Sequence, residues 1–248
     1  MPADAREPRP AFYALSSGGW RDYWTLLHPP YTVWHLSYVA IGASLAPTLN
    51  LRWLGETFLA FFLAMGIGAH ALDELNGRPL GTRIADRVLV ALAIVGVAGA
   101  VALGVHGTIV LSPWIWAFIV TGAFLVPAYN LELLGGAFHS DLWFALAWGG
   151  FPALAAFFAQ TGRVNAVGIV GAGACVAISA SQRVLSTPVR RLRRHVVRVG
   201  GTITLRDGTT ETLDAAALRA APERALRLLS LAMPLLASAM VAAAVRRS

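Results

Sequence analysis

Seven apolar stretches of about 20 residues constrain this chain more than any other feature. They cover approximately residues 32–49, 54–73, 88–107, 112–130, 142–160, 165–184 and 225–245. A helix needs about 20 mostly apolar residues to cross the roughly 30 Å hydrocarbon core of a bilayer. Charged residues make up only 13% of the 248-residue chain, about half the share found in a soluble domain. The sequence therefore predicts an all-α, polytopic helical membrane bundle of about seven spans.

The arginine distribution predicts the orientation of this bundle. Arginines precede the first apolar stretch and follow the second and sixth, whereas the loops after the first, third and fifth stretches hold few or none. Basic residues favour the cytoplasmic side, so we expect a multi-pass inner-membrane protein with a cytoplasmic N-terminus. Six arginines lie together near the sixth stretch, as is typical of a loop beside anionic lipid rather than of a nucleic-acid surface: Arg183, Arg190, Arg191, Arg193, Arg194 and Arg198.

The chain divides into four segments. Residues 1–24 form a cytoplasmic N-terminal segment that lacks the pattern of a cleavable signal peptide, and residues 25–195 form the transmembrane bundle. Residues 196–224 alternate β-branched and polar side chains around Asp207-Gly208, a hairpin turn signal. Asp214 is placed to cap a following amphipathic helix. We therefore expect a small cytoplasmic β-hairpin/helix insertion, followed by a final transmembrane helix in residues 225–248.

The second apolar stretch ends in ionisable side chains, which are costly in lipid. His70, Asp73 and Glu74 have the i, i+3, i+4 spacing that places side chains on one face of a helix. Two carboxylates and an imidazole can hold a divalent cation, and oxygen-rich ligand sets favour Mg²⁺, which also bridges to substrate phosphates. In the alternative interpretation, Asp73 and Glu74 mark the water interface and pair with Arg78 or Arg83.

Further polar residues are expected at the same end of the bundle. They include His28, Asn76, Tyr129, Asn130, Glu132, His139 and Asp141. The sequence His139-Ser140-Asp141 fits either a second ligand pair or a helix N-cap, and the cap is favoured. His35 and His106 stand alone, which indicates packing or interface roles.

The sequence lacks the signatures of several classes of membrane enzyme. Six scattered histidines cannot form the His-boxes of di-iron oxygenases. The sequence contains neither the H-E-x-x-H pattern of zinc proteases nor the G-x-S-x-G pattern of serine hydrolases. The aspartate-rich signature of CDP-alcohol phosphotransferases is also absent from the sequence.

Three stretches resemble the UbiA-type intramembrane prenyltransferases, especially the branch that makes menaquinone. "LLHPPYTVWHLSYVAIGASLA" resembles the first span of that family. "GAHALDELNGRPLGTRI" lies where the family has its first aspartate-rich motif, Asn-Asp-x-x-Asp, and Asp73 matches the last aspartate of that motif. "AYNLELLGGAFHSDLWFALAWGGFPALAAFFAQTG" resembles the Tyr-rich inner loop and the span after it. The resemblance covers roughly residues 25–195.

The resemblance implies a membrane enzyme that transfers a prenyl group from an isoprenoid diphosphate to a lipophilic acceptor with the help of Mg²⁺. Asp73 and Glu74 would hold the metal, and His70 would be a ligand or a base. The implied substrate-binding residues are His28, Asn76, Arg78, Tyr129, Asn130 and Arg183. Arg78 and Arg183 would contact phosphate, and Tyr129 and Asn130 would line the mouth of the cavity.

The sequence departs from the family pattern at both metal motifs. Ala69 and His70 occupy the positions of the Asn-Asp pair, and "ISASQRVLSTPVRRLRR" contains no acid where the second motif would lie. The arginines there either contact a diphosphate directly or belong only to a positively charged loop. Two other functions stay open: a terpene cyclase or other lipid-phosphate enzyme on the same fold, and a non-catalytic descendant that binds an isoprenoid or a protein partner.

Overall fold

The computed structural model describes residues 9–248, so the first eight residues of the expected N-terminal segment lie outside the described part. The protein is mostly helical, as the sequence predicts. The helices are α1 (Trp20–Leu26), α2 (Pro29–Ser44), α3 (Leu51–Leu75), α4 (Asp86–Val110), α5 (Ile115–Asn130), α6 (Asp141–Thr161), α7 (Ala166–Arg194) and α8 (Ala215–Val245). Two short strands, β1 (Thr202–Thr204) and β2 (Thr210–Thr212), lie between α7 and α8.

Within residues 9–248, five helices are long and apolar enough to cross a membrane: α3, α4, α6, α7 and α8. The protein is therefore a multi-pass membrane protein, whereas the expected seven spans are not confirmed. The other two expected spans correspond to α2 and α5, each 16 residues long. At 1.5 Å per residue, such a helix extends only about 24 Å. The apolar stretch 32–49 continues beyond the end of α2, and the stretch 112–130 begins before α5, so each helix is shorter than its stretch.

Consecutive helices from α2 to α8 run in opposite directions, which gives the bundle two ends. At one end Arg183, near the end of α7, pairs with Asp141 at the start of α6 (Nε–Oδ1 2.6 Å). We call this the arginine-rich end, where α2, α4, α6 and α8 begin and α3, α5 and α7 end. At the opposite end the Asn50 N–H, just before α3, donates to Gln160 near the end of α6 (2.8 Å).

Helix α2 lies at the centre of the bundle. Trp34 and Tyr38 are fully buried, and the Trp34 indole N–H donates to the Tyr38 hydroxyl (2.7 Å). Gly42 of α2 lies so close to α6 that a Cβ atom would overlap the main chain of Ala153. Small residues permit this close approach of membrane helices. The α2–α6 contact thus depends on the absence of a side chain at Gly42.

The predicted hairpin is confirmed. Strands β1 and β2 are antiparallel, with Ile203 opposite Glu211. Gly208 adopts φ +84° in the turn, a left-handed conformation that glycine accepts without a steric penalty. Asp207 supports the same turn, because its carboxylate accepts bonds from the N–H and the hydroxyl of Thr209 (3.0 and 2.7 Å).

Helix α8 begins at the predicted cap, since the Asp214 carboxylate accepts a bond from the Ala217 N–H (2.7 Å). It then continues unbroken to Val245, although the sequence indicated an amphipathic helix to residue 224 and a separate span from 225. Pro222 and Pro234 are both accommodated within it. Proline is tolerated in membrane helices because neighbouring groups satisfy the freed backbone.

Candidate functional site

A cavity of about 120 Å³ opens among α2, α3, α5, α6 and α7 at the arginine-rich end of the bundle. We call it the polar cavity. Its lining includes one carboxylate, Asp73, together with three arginines and four histidines: Arg183, Arg190 and Arg194, and His28, His35, His70 and His139. Residues 10–13 of the N-terminal segment also contribute to its wall. The cavity thus brings together residues of the N-terminal segment, of five helices and of the loop before α6.

Asp73 and Glu74 occupy different environments. Asp73 lines the polar cavity. Glu74 is fully buried, and its carboxylate accepts bonds from the Leu80 N–H (3.0 Å), the Thr82 N–H (2.8 Å) and the Thr82 hydroxyl (2.8 Å). Glu74 therefore holds the loop after α3 against the end of that helix, and both of its oxygens are in use.

The residues present do not fit the implied Mg²⁺ site. With Glu74 bound to the 80–82 loop, Asp73 is the only carboxylate that lines the polar cavity. Helix α7, which would carry the second acidic motif, contains no Asp or Glu. Among the described residues, no group of three or more His, Cys, Asp or Glu could hold a metal ion. The cavity instead presents three guanidinium groups, which suits an anion.

Arg78 lies outside the lining of the polar cavity. It donates to the carbonyl oxygens of Ile84 (2.6 Å) and Thr82 (3.3 Å) and pairs with Asp86 at the start of α4. It thus organises the loop between α3 and α4. Within residues 9–248 it forms no ion pair with Asp73 or Glu74, and neither does Arg83, so these carboxylates are not the interface pairs of the alternative interpretation.

His70 and His28 form a stacked pair in the cavity wall, with ring centroids 4.3 Å apart. The His70 Nδ1–H donates to the Gly66 carbonyl oxygen (3.0 Å). Because a carbonyl can only accept, the proton lies on Nδ1, and Nε2 of the neutral ring is an acceptor. The π-helical stretch Phe62–Ala69 leads into His70, and such wider turns are frequent at functional sites. Tyr13 contacts His28 through its hydroxyl (2.9 Å to Nδ1).

The end of α5 contributes Tyr129 and Asn130 to the cavity wall. Tyr129 stacks on His139, with centroids 4.6 Å apart. Asn130 donates to the Val126 carbonyl oxygen (2.7 Å). Asn76 lies outside the lining and donates its amide N–H to the Asn130 carbonyl oxygen (3.2 Å), which joins the ends of α3 and α5.

The arginines of α7 line the polar cavity at three positions: Arg183, which was predicted to contact phosphate, and Arg190 and Arg194, for which the sequence left a diphosphate contact and a positively charged loop open. Arg183 lies over the Phe144 ring at 5.1 Å and retains free N–H groups after its bond to Asp141. Arg190 has no ion-pair partner among residues 9–248, and Arg194 donates to the Pro10 carbonyl oxygen (3.4 Å). Positions 183, 190 and 194 recur at intervals of seven and four, which places them on one face of a helix. The sequence analysis did not use that spacing, which could have indicated that Arg190 and Arg194 share a face with Arg183.

The interpretation of His139-Ser140-Asp141 as a helix cap is confirmed. The Ser140 hydroxyl accepts a bond from the Trp143 N–H at the start of α6 (3.2 Å). His139 lines the polar cavity, and its Nδ1–H donates to the Tyr129 carbonyl oxygen (3.0 Å). The short loop before α6 therefore caps that helix through Ser140 and also contributes His139 to the wall of the polar cavity.

A second cavity, of about 140 Å³, lies beside the polar one and has an almost wholly apolar wall from α3, α4, α5 and α6. Ala64 of α3 lines this apolar cavity, whereas its neighbour Met65 lines the polar cavity. On α6, Phe151 lines the apolar cavity and Trp148, one turn earlier, lines the polar one. A buried cluster that includes Met65, Val126 and Trp148 separates the two.

The fold and the cavity together define a multi-pass membrane protein with a cationic cavity at one end of its bundle. The chain matches no family model, no curated protein and no solved structure.

Proposed function

We propose that this protein is an integral membrane prenyltransferase of the UbiA-like kind. It would transfer a prenyl group from an isoprenoid diphosphate to a lipophilic acceptor. One observation carries the proposal: Arg183, Arg190 and Arg194 converge with a single carboxylate, Asp73, in a cavity enclosed by apolar helices. An anion with a lipophilic tail suits such a place better than a free polar metabolite does.

The arginines would bind the diphosphate. A guanidinium presents paired N–H donors that match phosphate oxygens, and such charge-assisted bonds are stronger than neutral ones. In the reaction, the bond between C1 of the prenyl chain and the diphosphate oxygen breaks, and its electrons remain on that oxygen. Arg183, Arg190 and Arg194 would stabilise the negative charge that develops there. Because the cavity does not fit a two-carboxylate Mg²⁺ site, the three guanidinium groups would stabilise this charge without a metal ion.

Asp73 and His70 would act on the acceptor side of the reaction. The Asp73 carboxylate can stabilise the allylic cation left by the departing diphosphate. The free Nε2 of His70 can accept the proton that the acceptor loses when its new bond to the prenyl carbon forms. His28, stacked on His70, and Tyr129 with Asn130 would shape the space between these groups.

The prenyl tail would lie toward the apolar cavity. Ala64 and Met65 are neighbours on α3 yet line different cavities. A chain that extends from the diphosphate would have to displace side chains of the cluster that includes Met65, Val126 and Trp148 to reach the apolar space. In this proposal α2 and α5 also cross the inner membrane, and the arginine-rich end faces the cytoplasm, as the arginine bias indicates. The C-terminus then lies on the outer side.

One observation favours a second candidate function, a non-catalytic isoprenoid-binding protein. The polar cavity contains a single carboxylate, because Glu74 is bound to the 80–82 loop. An arginine-lined cavity could hold an isoprenoid diphosphate without cleaving it. A terpene cyclase on the same fold would cleave it and form a cyclic hydrocarbon without any acceptor.

Labelled geranylgeranyl diphosphate distinguishes these functions. The purified protein is incubated with this donor and with membrane lipid extract as the source of acceptor, either with Mg²⁺ or with EDTA. We expect diphosphate release coupled to a prenylated lipid product, and loss of product in Asp73→Asn with binding retained. Binding without release would contradict the enzyme and support the binding protein. A cyclic product formed without extract would support the cyclase.

A further inference from the structure

The chain before α1 crosses the arginine-rich end of the bundle without forming a helix or a strand in residues 9–19. We call residues 9–15 the strap. Its residues 10–13 line the polar cavity. Nε2 of His28 and the Tyr129 hydroxyl belong to residues that line the same cavity, and both atoms are buried from solvent. The strap is therefore part of the cover that separates these groups from the surroundings of the protein.

Two arginines of α7 hold the first part of the strap. Arg193 donates to the Arg9 carbonyl oxygen (3.1 Å), and Arg194 donates to the Pro10 carbonyl oxygen (3.4 Å). Each arginine also has another role, since Arg193 pairs with Glu223 of α8 and Arg194 lines the polar cavity. A single hydrogen bond contributes little net stability in water. These two contacts therefore position the strap without locking it in place.

Side-chain contacts hold the rest of the strap. The Leu15 N–H donates to the Thr25 hydroxyl of α1 (3.1 Å). Phe12 lies edge to face against Tyr31 of α2, with ring centroids 6.1 Å apart, and the Arg227 guanidinium lies over Phe12 at 5.0 Å. In the described part of the chain, no hydrogen bond between main-chain atoms joins the strap to another element. Such a segment can leave its place while the helices stay packed.

The strap is joined to a fixed base. The Asp22 carboxylate accepts bonds from the Gly18 N–H (2.9 Å) and from the Arg83 N–H (3.1 Å), so it holds the start of α1 on the loop after α3. Gly18 has φ +119°, a conformation that glycine adopts without a steric penalty. Ser16 and Ser17, between this base and the strap, are exposed. These residues can act as a hinge, because rotation there moves the strap and leaves α1 in place.

The volume of the polar cavity indicates that its cover moves. A cavity of about 150 Å³ takes up one benzene molecule, whereas the polar cavity measures about 120 Å³. A diphosphate with a prenyl chain does not fit such a space. Apart from the strap, all residues that line the cavity lie in a helix or within two residues of one. The strap is therefore the part of the wall that can move with the fewest lost contacts.

We propose that the strap is a lid of the polar cavity, which swings about residues 16–18 to admit an anionic ligand and then closes over it. The cationic wall of Arg183, Arg190 and Arg194 favours an anion among the molecules that the open lid admits. Closure would exclude water from the groups around the ligand, which strengthens their electrostatic interactions. That role in the reaction rests on the proposed function, whereas the opening of the lid does not.

A thiol placed behind the strap reports its opening. Ser186 of α7 lines the cavity and is 7% exposed, and its neighbour Thr187 is exposed outside the lining. Purified Ser186→Cys and Thr187→Cys are each labelled with 2-sulfonatoethyl methanethiosulfonate, a small anionic thiol reagent, and the rate is followed by mass spectrometry. The unsubstituted protein is the blank, because Cys175 is buried in the bundle core. We expect Ser186→Cys to react more slowly by about tenfold or more, as a required local opening predicts.

A variant that loosens the strap from outside the cavity tests the lid. Thr25 is buried but does not line the cavity, and Thr25→Val removes the acceptor of the Leu15 N–H. We expect this substitution to speed the labelling of Ser186→Cys about fivefold, as the loss of one hydrogen bond predicts, while Thr187→Cys reacts at its former rate. Cys175 should stay unlabelled, because the bundle itself stays closed.

Arg227→Gln is a second variant, chosen because Arg227 is exposed and contacts the strap through the Phe12 ring. We expect it to speed the labelling of Ser186→Cys about threefold, as the loss of a cation–π contact predicts. If Thr25→Val does not fold, the result for Arg227→Gln decides. Unchanged labelling rates in the strap variants would overturn the proposal, and so would equal rates for Ser186→Cys and Thr187→Cys beneath the wild-type strap.

The two proposals fail separately. If the strap variants speed labelling but geranylgeranyl diphosphate does not bind, the proposed function is wrong and the lid stands. If the diphosphate is cleaved and the strap variants leave labelling unchanged, the lid is wrong and the proposed function stands.

Discussion

Asp73 and Glu74 are neighbours in the sequence, yet Asp73 lines the polar cavity while Glu74 points into the 80–82 loop. The i, i+3, i+4 spacing with His70 placed both carboxylates on one face. The direction of the chain after Leu75 changes this arrangement, because the loop folds back and presents the N–H groups of Leu80 and Thr82 to Glu74. One carboxylate is therefore structural and the other is available to a ligand.

This division predicts opposite effects of two conservative substitutions. Glu74→Gln replaces one acceptor oxygen with an N–H₂ donor that faces backbone N–H groups. We expect it to lower the free energy of unfolding by about 1–3 kcal/mol, the cost of leaving a buried polar group without a partner. Asp73→Asn should leave stability nearly unchanged and lower activity. Thermal unfolding in detergent measures both, with Glu211→Gln on the exposed hairpin as the control. Equal stability of Glu74→Gln and the wild type would contradict the structural role of Glu74.

The order of the helices could be predicted from the sequence, because each apolar stretch lies on one helix, but α7 ends at Arg194 rather than 184 and α8 begins at Ala215 rather than 225. The number of spans could not, because hydropathy does not show where a helix ends inside an apolar stretch. The first stretch continues to residue 49, whereas α2 ends at Ser44, before Pro47. The sequence also could not show that α8 continues through Pro222.

The lining of the polar cavity was predicted in part. His28, His70, Asp73, Tyr129, Asn130 and Arg183 all line the polar cavity, whereas Glu74, Asn76 and Arg78 stabilise the loop and helix ends around it. Those three roles depend on how the loop after α3 folds, which residue spacing within a helix does not specify. His35 and Gln182 were missed because each stands alone in its own stretch and they come together only when α2 packs near α7.

Gly42 provides a test of the central position of α2. A Cβ atom at residue 42 would overlap the main chain of Ala153, so Gly42→Ala forces α2 and α6 apart. We expect a lower thermal midpoint and a lower yield of folded protein. Gly173→Ala on α7 is the matched control, since a Cβ atom there has no neighbour within 4 Å. A Gly42→Ala protein as stable as Gly173→Ala would show that the two helices do not pack as described.

The Tyr13 hydroxyl predicts a change of stability at alkaline pH. Burial, with a smaller contribution from Tyr31, raises the pKa of Tyr13 well above its ordinary value. In the unfolded chain the hydroxyl ionises near pH 10, whereas in the folded protein it is still protonated at that pH because its pKa is higher. The stability that Tyr13 contributes is therefore present below about pH 10 and is lost as the pH rises further toward the folded pKa.

Tyr13→Phe removes this titration together with the bond to His28. We expect the variant to have a lower thermal midpoint than the wild type at pH 8, and the difference to narrow above about pH 10. Thermal unfolding of the variant and the wild type, measured at pH 8 and at pH 11, checks this. A difference that is the same at pH 8 and pH 11 would contradict the burial of this hydroxyl.

The alternation of the helices predicts the location of the C-terminus. If α2 to α8 all cross the membrane and the arginine-rich end faces the cytoplasm, a reporter fused after Ser248 lies on the outer side. The same reporter inserted at Gly208 in the hairpin turn should report the cytoplasm. Two reporters on the same side would contradict the seven-span topology.

The central claim is that the arginines of α7 bind a diphosphate, and equilibrium binding of labelled geranylgeranyl diphosphate in EDTA tests it most directly. Arg190 lines the polar cavity, whereas Arg191 is exposed outside its lining, so Arg190→Gln and Arg191→Gln remove the same charge at adjacent positions. We predict that binding persists in EDTA, that Arg190→Gln weakens it about tenfold or more, as the loss of a charge-assisted bond implies, and that Arg191→Gln leaves it unchanged. Equal affinities of the two variants, or binding that requires Mg²⁺, would contradict the account.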